Sequence, residues 1–295
     1  MAELPEDPSM PTLFRALALT GLAALAAAVP AAAQLRSAPE GPVVYGHHHL
    51  IVTDVAAQKR FWVDTLGGTP GALGSTDAAL FDNVIVLFRQ GTPTGGTKGT
   101  IVNHIGFAVP DLRAVVGRVK AAGYPIVTRQ EMPPSQAVVD DLAYVEATKQ
   151  NIAYVMAPDD VKVELVEVKG QARPITMHHV HYYTQHIDEM KAWYVKTFGA
   201  APGMRGAFQA ADLPGVNLTF SGSDTPVAGT KGRSLDHIGF EVKDLEAFCK
   251  RLEAQGVTFD RPYTKVASLG IAVAFLTDPW GTYIELTEGL AAMGQ

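Results

Sequence analysis

Through Val102–Val109 the residues run Val-Asn-His-Ile-Gly-Phe-Ala-Val, a short, largely apolar stretch that reads as a strand of period two. At Asp111 the period lengthens. Leu112, Val115, Val116 and Val119 then recur at helical spacing until Gly123. The same change occurs from Leu235, with Asp244 at the boundary, Leu245, Phe248, Cys249 and Leu252 on the helical stripe, and Gly256 at its end. Each segment is expected to be a strand followed by a helix, with the aspartate as N-cap and the glycine closing the helix in a left-handed conformation.

A second pair is looser: "HHHLIVTDVAAQKRFWVDTLGG" from His47 and "HVHYYTQHIDEMKAWYVKTFGA" from His179. Both predict a strand, then a helix with two adjacent aromatic residues, Phe61-Trp62 and Trp193-Tyr194. Strand-like runs follow every helix, among them "NVIVLFRQ", "GVNLTFSG" and "IAVAFLTDPWGTYIELTEG". The chain therefore divides into four βαβββ modules, at 42 to 92, 100 to 169, 174 to 224 and 233 to 290. The alternation of the two kinds implies an α+β protein of two duplicated domains, 34–170 holding modules 1 and 2, and 171–295 holding modules 3 and 4. They would join near "KGQARPI", 169 to 175.

Before module 1 lies a segment of different character. Phe14-Arg15 leads into "ALALTGLAALAAAV", then Pro30, with Ala31 and Ala33 placed for cleavage before Gln34. The run is short of the roughly 20 apolar residues that a spanning helix needs, so residues 1–33 are read as a cleaved signal peptide and the mature protein as periplasmic or secreted. Initiation at Met10 would shorten the acidic preface. The net charge of −6 comes from intermingled signs, which argues against a nucleic-acid partner and against a membrane one after cleavage. With a single cysteine, Cys249, neither an internal disulfide nor a cysteine metal cluster can form, and its place on the helical stripe marks it as core.

The modules resemble the vicinal oxygen chelate superfamily, which includes glyoxalases, fosfomycin-resistance thiol transferases, methylmalonyl-CoA epimerases and extradiol dioxygenases. The resemblance covers essentially all of the chain after Gln34. It implies paired modules whose curled sheets form a cleft with a divalent metal at its floor. A histidine seven residues before the helix cap and a late-strand glutamate after a D-P-x-G turn are the expected ligands. His47 and Asp54, His104 and Asp111, and His237 and Asp244 keep that spacing, and His179 keeps it to His186. "DPWGTYIEL" supplies Glu285 and "APDDVKVEL" supplies Glu164. With modules paired in sequence order, the expected sets are His47, His104 and Glu164 in one half and His179, His237 and Glu285 in the other. Two imidazoles and a carboxylate suit Fe(II), Mn(II), Zn(II) or Ni(II) without choosing among them.

Alternation along a strand places His47 and His49 on one face and His48 on the other, and His179 and His181 repeat the pair. His49 and His181 thus become candidates for general acid–base catalysis beside the metal, or for orienting a ligand. Lys162 and Tyr283, two residues before each glutamate, should face the clefts. A lysine would repel a cation, so the half containing Glu285 is expected to carry the activity. Trp62, Trp193 and Tyr194 fall in helical patterns and read as core, while Trp280 lies in the turn where it could rim a cleft.

The extradiol signature is incomplete, because Phe275 stands where a tyrosine is expected and "TKVASLGIAVAF" contains no histidine. Export would also separate the protein from cytosolic glutathione and coenzyme A thioesters. The expectation is an exported metal-dependent isomerase, lyase or oxygenase acting on a small oxygenated organic molecule, with a homodimer compatible with the resemblance. The alternatives are a metal-free binding protein of the bleomycin-resistance type and an atypical extradiol-type dioxygenase.

Overall fold

The computed structural model describes residues 42–292. The expected signal peptide and cleavage site lie outside them. Module 1 comprises β1 (Val43–Val52), α1 (Val55–Lys59), β2 (Thr69–Leu73), β3 (Thr76–Phe81) and β4 (Val84–Gln90). Module 2 comprises β5 (Val102–Val109), α2 (Leu112–Ala121), the short α3 (Thr128–Glu131), β6 (Val138–Val139), β7 (Leu142–Val145), β8 (Gln150–Ala157) and β9 (Val161–Glu167). Module 3 runs through β10 (Thr176–Thr184), α4 (Ile187–Phe198), β11 (Ala201–Arg205), β12 (Phe208–Leu213) and β13 (Val216–Gly222). Module 4 is β14 (Leu235–Val242), α5 (Leu245–Ala254), β15 (Arg261–Val266), β16 (Ile271–Thr277) and β17 (Tyr283–Glu288).

The helix boundaries follow local chemistry. Asp54, Asp111 and Asp244 each accept a hydrogen bond from the backbone N–H three residues on, at 3.1, 2.9 and 3.2 Å, satisfying a donor that the first turn leaves free. His186 makes no such cap in module 3. Gly123 and Gly256 stand just past α2 and α5 at φ 83° and 86°, a conformation open to glycine at little cost. The apolar stripes face inward, and Cys249 is buried among them.

The modules do not pair in sequence order. One eight-stranded sheet runs β15-β16-β17-β14-β1-β4-β3-β2, joining module 4 to module 1. A nine-stranded sheet runs β11-β12-β13-β10-β5-β9-β8-β7-β6, joining module 3 to module 2. The seams are antiparallel, β1 with β14 and β10 with β5. This corrects the expected division into 34–170 and 171–295. All four first strands carry the same histidine register, so local pattern is equally satisfied by either partner. Contacts between the sheets belong to the arrangement that forms. Asn83 donates to the carbonyls of Met177 and Gly215, both at 3.0 Å, and accepts from the Met177 N–H at 2.7 Å. Aromatic residues join the modules from the other side: Trp62 packs on Phe107, and Phe198 on Phe240. The largest core cluster among the described residues runs through both sheets and their helices, and two smaller ones lie apart from it.

Candidate metal centres

The strand register assembles two similar clusters. Across β1, β14 and β17, His47 lies opposite Gly239 and Gly239 opposite Glu285, while His49 faces His237. Across β10, β5 and β9, His179 lies opposite Gly106 and Gly106 opposite Glu164, while His181 faces His104. In each row a glycine separates the histidine from the glutamate. A Cβ on Gly239 would overlap the imidazole of His47, and one on Gly106 that of His179. The missing side chains are the space into which the rings lean.

His47, His49, His237 and Glu285 therefore form one set, and His104, Glu164, His179 and His181 the other, with one donor atom from each member within 4.8 Å of those of the rest. His237 and Glu285 stay together as expected, as do His104 and Glu164. His47 and His179 exchange places, because each follows its own module across the seam. The expected groupings His47/His104/Glu164 and His179/His237/Glu285 do not assemble. His48 points away from both clusters, fully buried between Tyr45, whose hydroxyl is 3.0 Å from Nδ1, and the Met177 sulfur 3.4 Å from Nε2.

In the first cluster, Glu285 Oε2 takes hydrogen bonds from His47 Nε2 at 3.0 Å and His237 Nε2 at 2.9 Å. Burial pushes the carboxyl up, but the two imidazoles outweigh it and hold Glu285 well below its ordinary range. His237 also presents Nδ1 to Asp236 at 2.7 Å, and Asp236 is itself held by the Gly232 N–H at 2.6 Å. Burial opposes protonation of His237, yet its bonds to Asp236 and Glu285 leave it raised. His49 differs, because neither ring nitrogen has a hydrogen-bond partner. Burial, followed by the neighbouring His237 and His47, lowers it to about 3, so its ring is neutral near pH 7. The cluster opens on a cavity of about 410 Å³ walled by Leu73, Leu269, Phe275 and Leu290, with Arg89 and Arg261 also lining it.

The second cluster is more crowded. Glu164 Oε2 meets His104 Nε2 at 2.8 Å, His179 Nε2 at 3.1 Å and the Tyr154 hydroxyl at 3.3 Å. Arg205 Nη2 stands 3.6 Å from Oε1. His181 Nε2 is 2.7 Å from the Ser221 hydroxyl, and its ring packs on Phe208. Lys162 is buried and ion-paired with Glu131. The cation that bears directly on Glu164 is thus Arg205, not Lys162, whose charge Glu131 neutralises. Trp280 packs against Trp193 and the core and does not line the cavity.

Residues 176–286 match the model of the Glyoxalase/Bleomycin resistance protein/Dioxygenase superfamily. Over that stretch, modules 3 and 4, this chain is similar to the superfamily. The matched segment supplies β10–β13 to one sheet and β14–β17 to the other. Lactoylglutathione lyase of Pseudomonas aeruginosa is 39% identical over 56 residues, 19% of this chain, and the match spans only 30% of that relative. Among solved structures, glyoxalase I from Zea mays superposes with a TM-score of 0.63 over 85% of this chain and 94% of its own, at 14% identity. A putative dioxygenase from Bacillus subtilis gives 0.60 over 85% and 90%, also at 14%. These likenesses show a glyoxalase-like fold in two halves.

The donor chemistry of the first cluster fits a divalent ion. Glu285 holds its negative charge, His47 and His237 point a ring nitrogen at the same carboxylate oxygen, and His49 offers a buried nitrogen that no protein group satisfies. Asp236 stands where a carboxylate can orient a ligating histidine from behind. Asn103 does this for His104 as a neutral amide, at 2.9 Å. Sequence reasoning missed Gly106, Gly239, Asp236 and Arg205. For the glycines the signal was present: "HIGF" occurs twice, and an unneeded glycine inside a strand marks close approach by another group. Arg205 had no comparable signal, since only the register of its hairpin brings it over Glu164.

Proposed function

We propose that this protein is an exported, divalent-metal-dependent enzyme whose site is the cleft between modules 1 and 4. One observation carries the reading: His47, His49, His237 and Glu285 converge at the floor of an open cavity. His49 serves as a fourth protein ligand. A base of pKa about 3 takes up little proton near neutrality, whereas a neutral, unpartnered imidazole suits coordination. His181, engaged by Ser221 and covered by Phe208, has no catalytic part in this reading.

A bound ion would polarise vicinal oxygens of a substrate and stabilise negative charge developing on them. The chain's own residues select what enters. The charges of Glu285 and Asp236 balance those of Arg89 and Arg261, so a divalent ion leaves the cavity doubly positive. Its substrate is therefore a small oxygenated organic anion, with an apolar body against Phe275 and Leu269 and an acidic group toward the arginines. Isomerase, lyase and oxygenase chemistry remain the candidate reactions.

The test uses tag-free mature protein. Metal content is measured first, and turnover of 2-oxo and 2-hydroxy acids is then compared with that of the methylglyoxal–glutathione hemithioacetal. One bound equivalent, lost in Glu285→Ala, supports the reading. Glu285→Ala binding metal as wild type does would sink it and favour the metal-free binding protein. Preferential turnover of the hemithioacetal would remove the argument from export. His49→Ala should weaken metal binding; unchanged affinity with lost turnover would return His49 to the role of a base.

A further inference from the structure

The two clusters share a backbone register, so corresponding positions can be compared directly. Leu73 and Thr76, paired at the tip of the β2–β3 hairpin, correspond to Arg205 and Phe208 at the tip of β11–β12. Phe275, opposite Glu285, corresponds to Tyr154, opposite Glu164. Arg89 on β4 corresponds to Ser221 on β13. The histidines and the glutamate are the same at both sites, and what surrounds them is not. Around Glu285, Leu73 and Phe275 are apolar, and Thr76 and Arg89 line an open cavity rather than pairing with the glutamate. Around Glu164 they supply a guanidinium, a phenol and a hydroxyl.

Arg205 is the decisive difference. Its side chain is only 10% exposed, it stands 3.6 Å from the free oxygen of Glu164, and its Nε has no hydrogen-bond partner. A buried arginine is held in such a place only when an anion compensates it. Glu164 is that anion, and Lys162 and Glu131 cancel each other beside it. The second cluster is thereby neutral with no ion present. A divalent cation entering there would meet a fixed positive charge beside its own carboxylate ligand, with little water to screen it.

We propose that His104, Glu164, His179 and His181 form a latent metal site in which the guanidinium of Arg205 takes the place of the ion. The chain then carries one exchangeable divalent metal, at Glu285, and a second donor set closed by its own side chain. This rests on the reading that such donor sets hold a divalent ion.

The experiment counts metal. Tag-free protein is stripped with chelator, loaded with Zn(II) or Mn(II), freed of unbound ion and analysed by elemental mass spectrometry, with circular dichroism to confirm folding. Wild type is expected to bind one equivalent, and Arg205→Leu, which installs the residue found at the corresponding place in the other half, two. Arg205→Met serves if the leucine variant does not fold. Adding Glu164→Gln to the variant should return the count to one, and Glu164→Gln alone should leave one. Two equivalents in wild type would overturn the proposal, as would a folded Arg205 variant that still binds one. A wild type that binds none, with either arginine variant also binding none, overturns the metal reading of both clusters.

Discussion

A glycine in the middle of a strand ordinarily costs stability, since it adds backbone freedom to the unfolded chain and packs nothing. Gly106 and Gly239 are kept at that cost because an imidazole occupies the volume of the absent Cβ. The consequences of filling the two positions should differ. Gly239→Ala is expected to displace His47 and abolish metal uptake at the Glu285 cluster, read as loss of the bound equivalent in a protein that still folds. Gly106→Ala should leave that equivalent in place and lower stability by about 1–3 kcal/mol in urea unfolding, the usual cost of overpacking a filled site. Equal metal loss in both variants would contradict the separation of roles. Asp236 acts through His237, and replacing such a supporting carboxylate typically costs roughly 10–100-fold in metal affinity. Asp236→Asn, which copies Asn103 of the other cluster, should show that loss in a competition titration with a chromogenic chelator.

The helices α1, α2 and α5 are secured by aspartate caps that were readable in the chain, and α4 is not. At the start of α4 the cap position holds His186, whose side chain accepts no bond from the first turn. His186→Asp should supply it and raise stability by about 0.5–1 kcal/mol, visible as a higher urea midpoint at unchanged slope. Asp111→Ala at α2 should shift the midpoint the other way by a similar amount. The D-P-x-G turn before β17 is a stronger device. Asp278 is buried and accepts from the backbone of Trp280 and Thr282, at 3.0 and 2.7 Å, and from the Tyr194 hydroxyl, at 3.0 Å. The turn thus fixes the entry of the Glu285 strand and ties it to α4. These elements were legible because their causes are local: a period, a cap, a turn residue.

At the scale of the whole molecule, the crossed pairing of modules makes the halves interdependent. Fragments 34–170 and 171–295 each lack the seam partners of their own first strands, β14 for β1 and β10 for β5. Co-expressed, they should copurify and bind one metal equivalent between them, read by affinity capture through a non-histidine tag and elemental analysis. Fragment 34–170 folding alone as a monomer with its own bound metal would show instead that pairing in sequence order suffices. The amino-acid sequence by itself determined the four modules with their main strands and helices, because hydrophobic period is a property of short segments, and its resemblance to a known family singled out His47, His104, Glu164, His179, His237 and Glu285 as one recurring set. It could not determine which histidine joins which glutamate, since four first strands with one shared register are interchangeable as edges. Tertiary structure decided that through contacts distant in sequence: Asn83 against Met177 and Gly215, Trp62 against Phe107, Phe198 against Phe240. The same long-range packing brought Arg205 over Glu164 and left a cavity over Glu285, which is how two equivalent ligand sets came to have unequal surroundings.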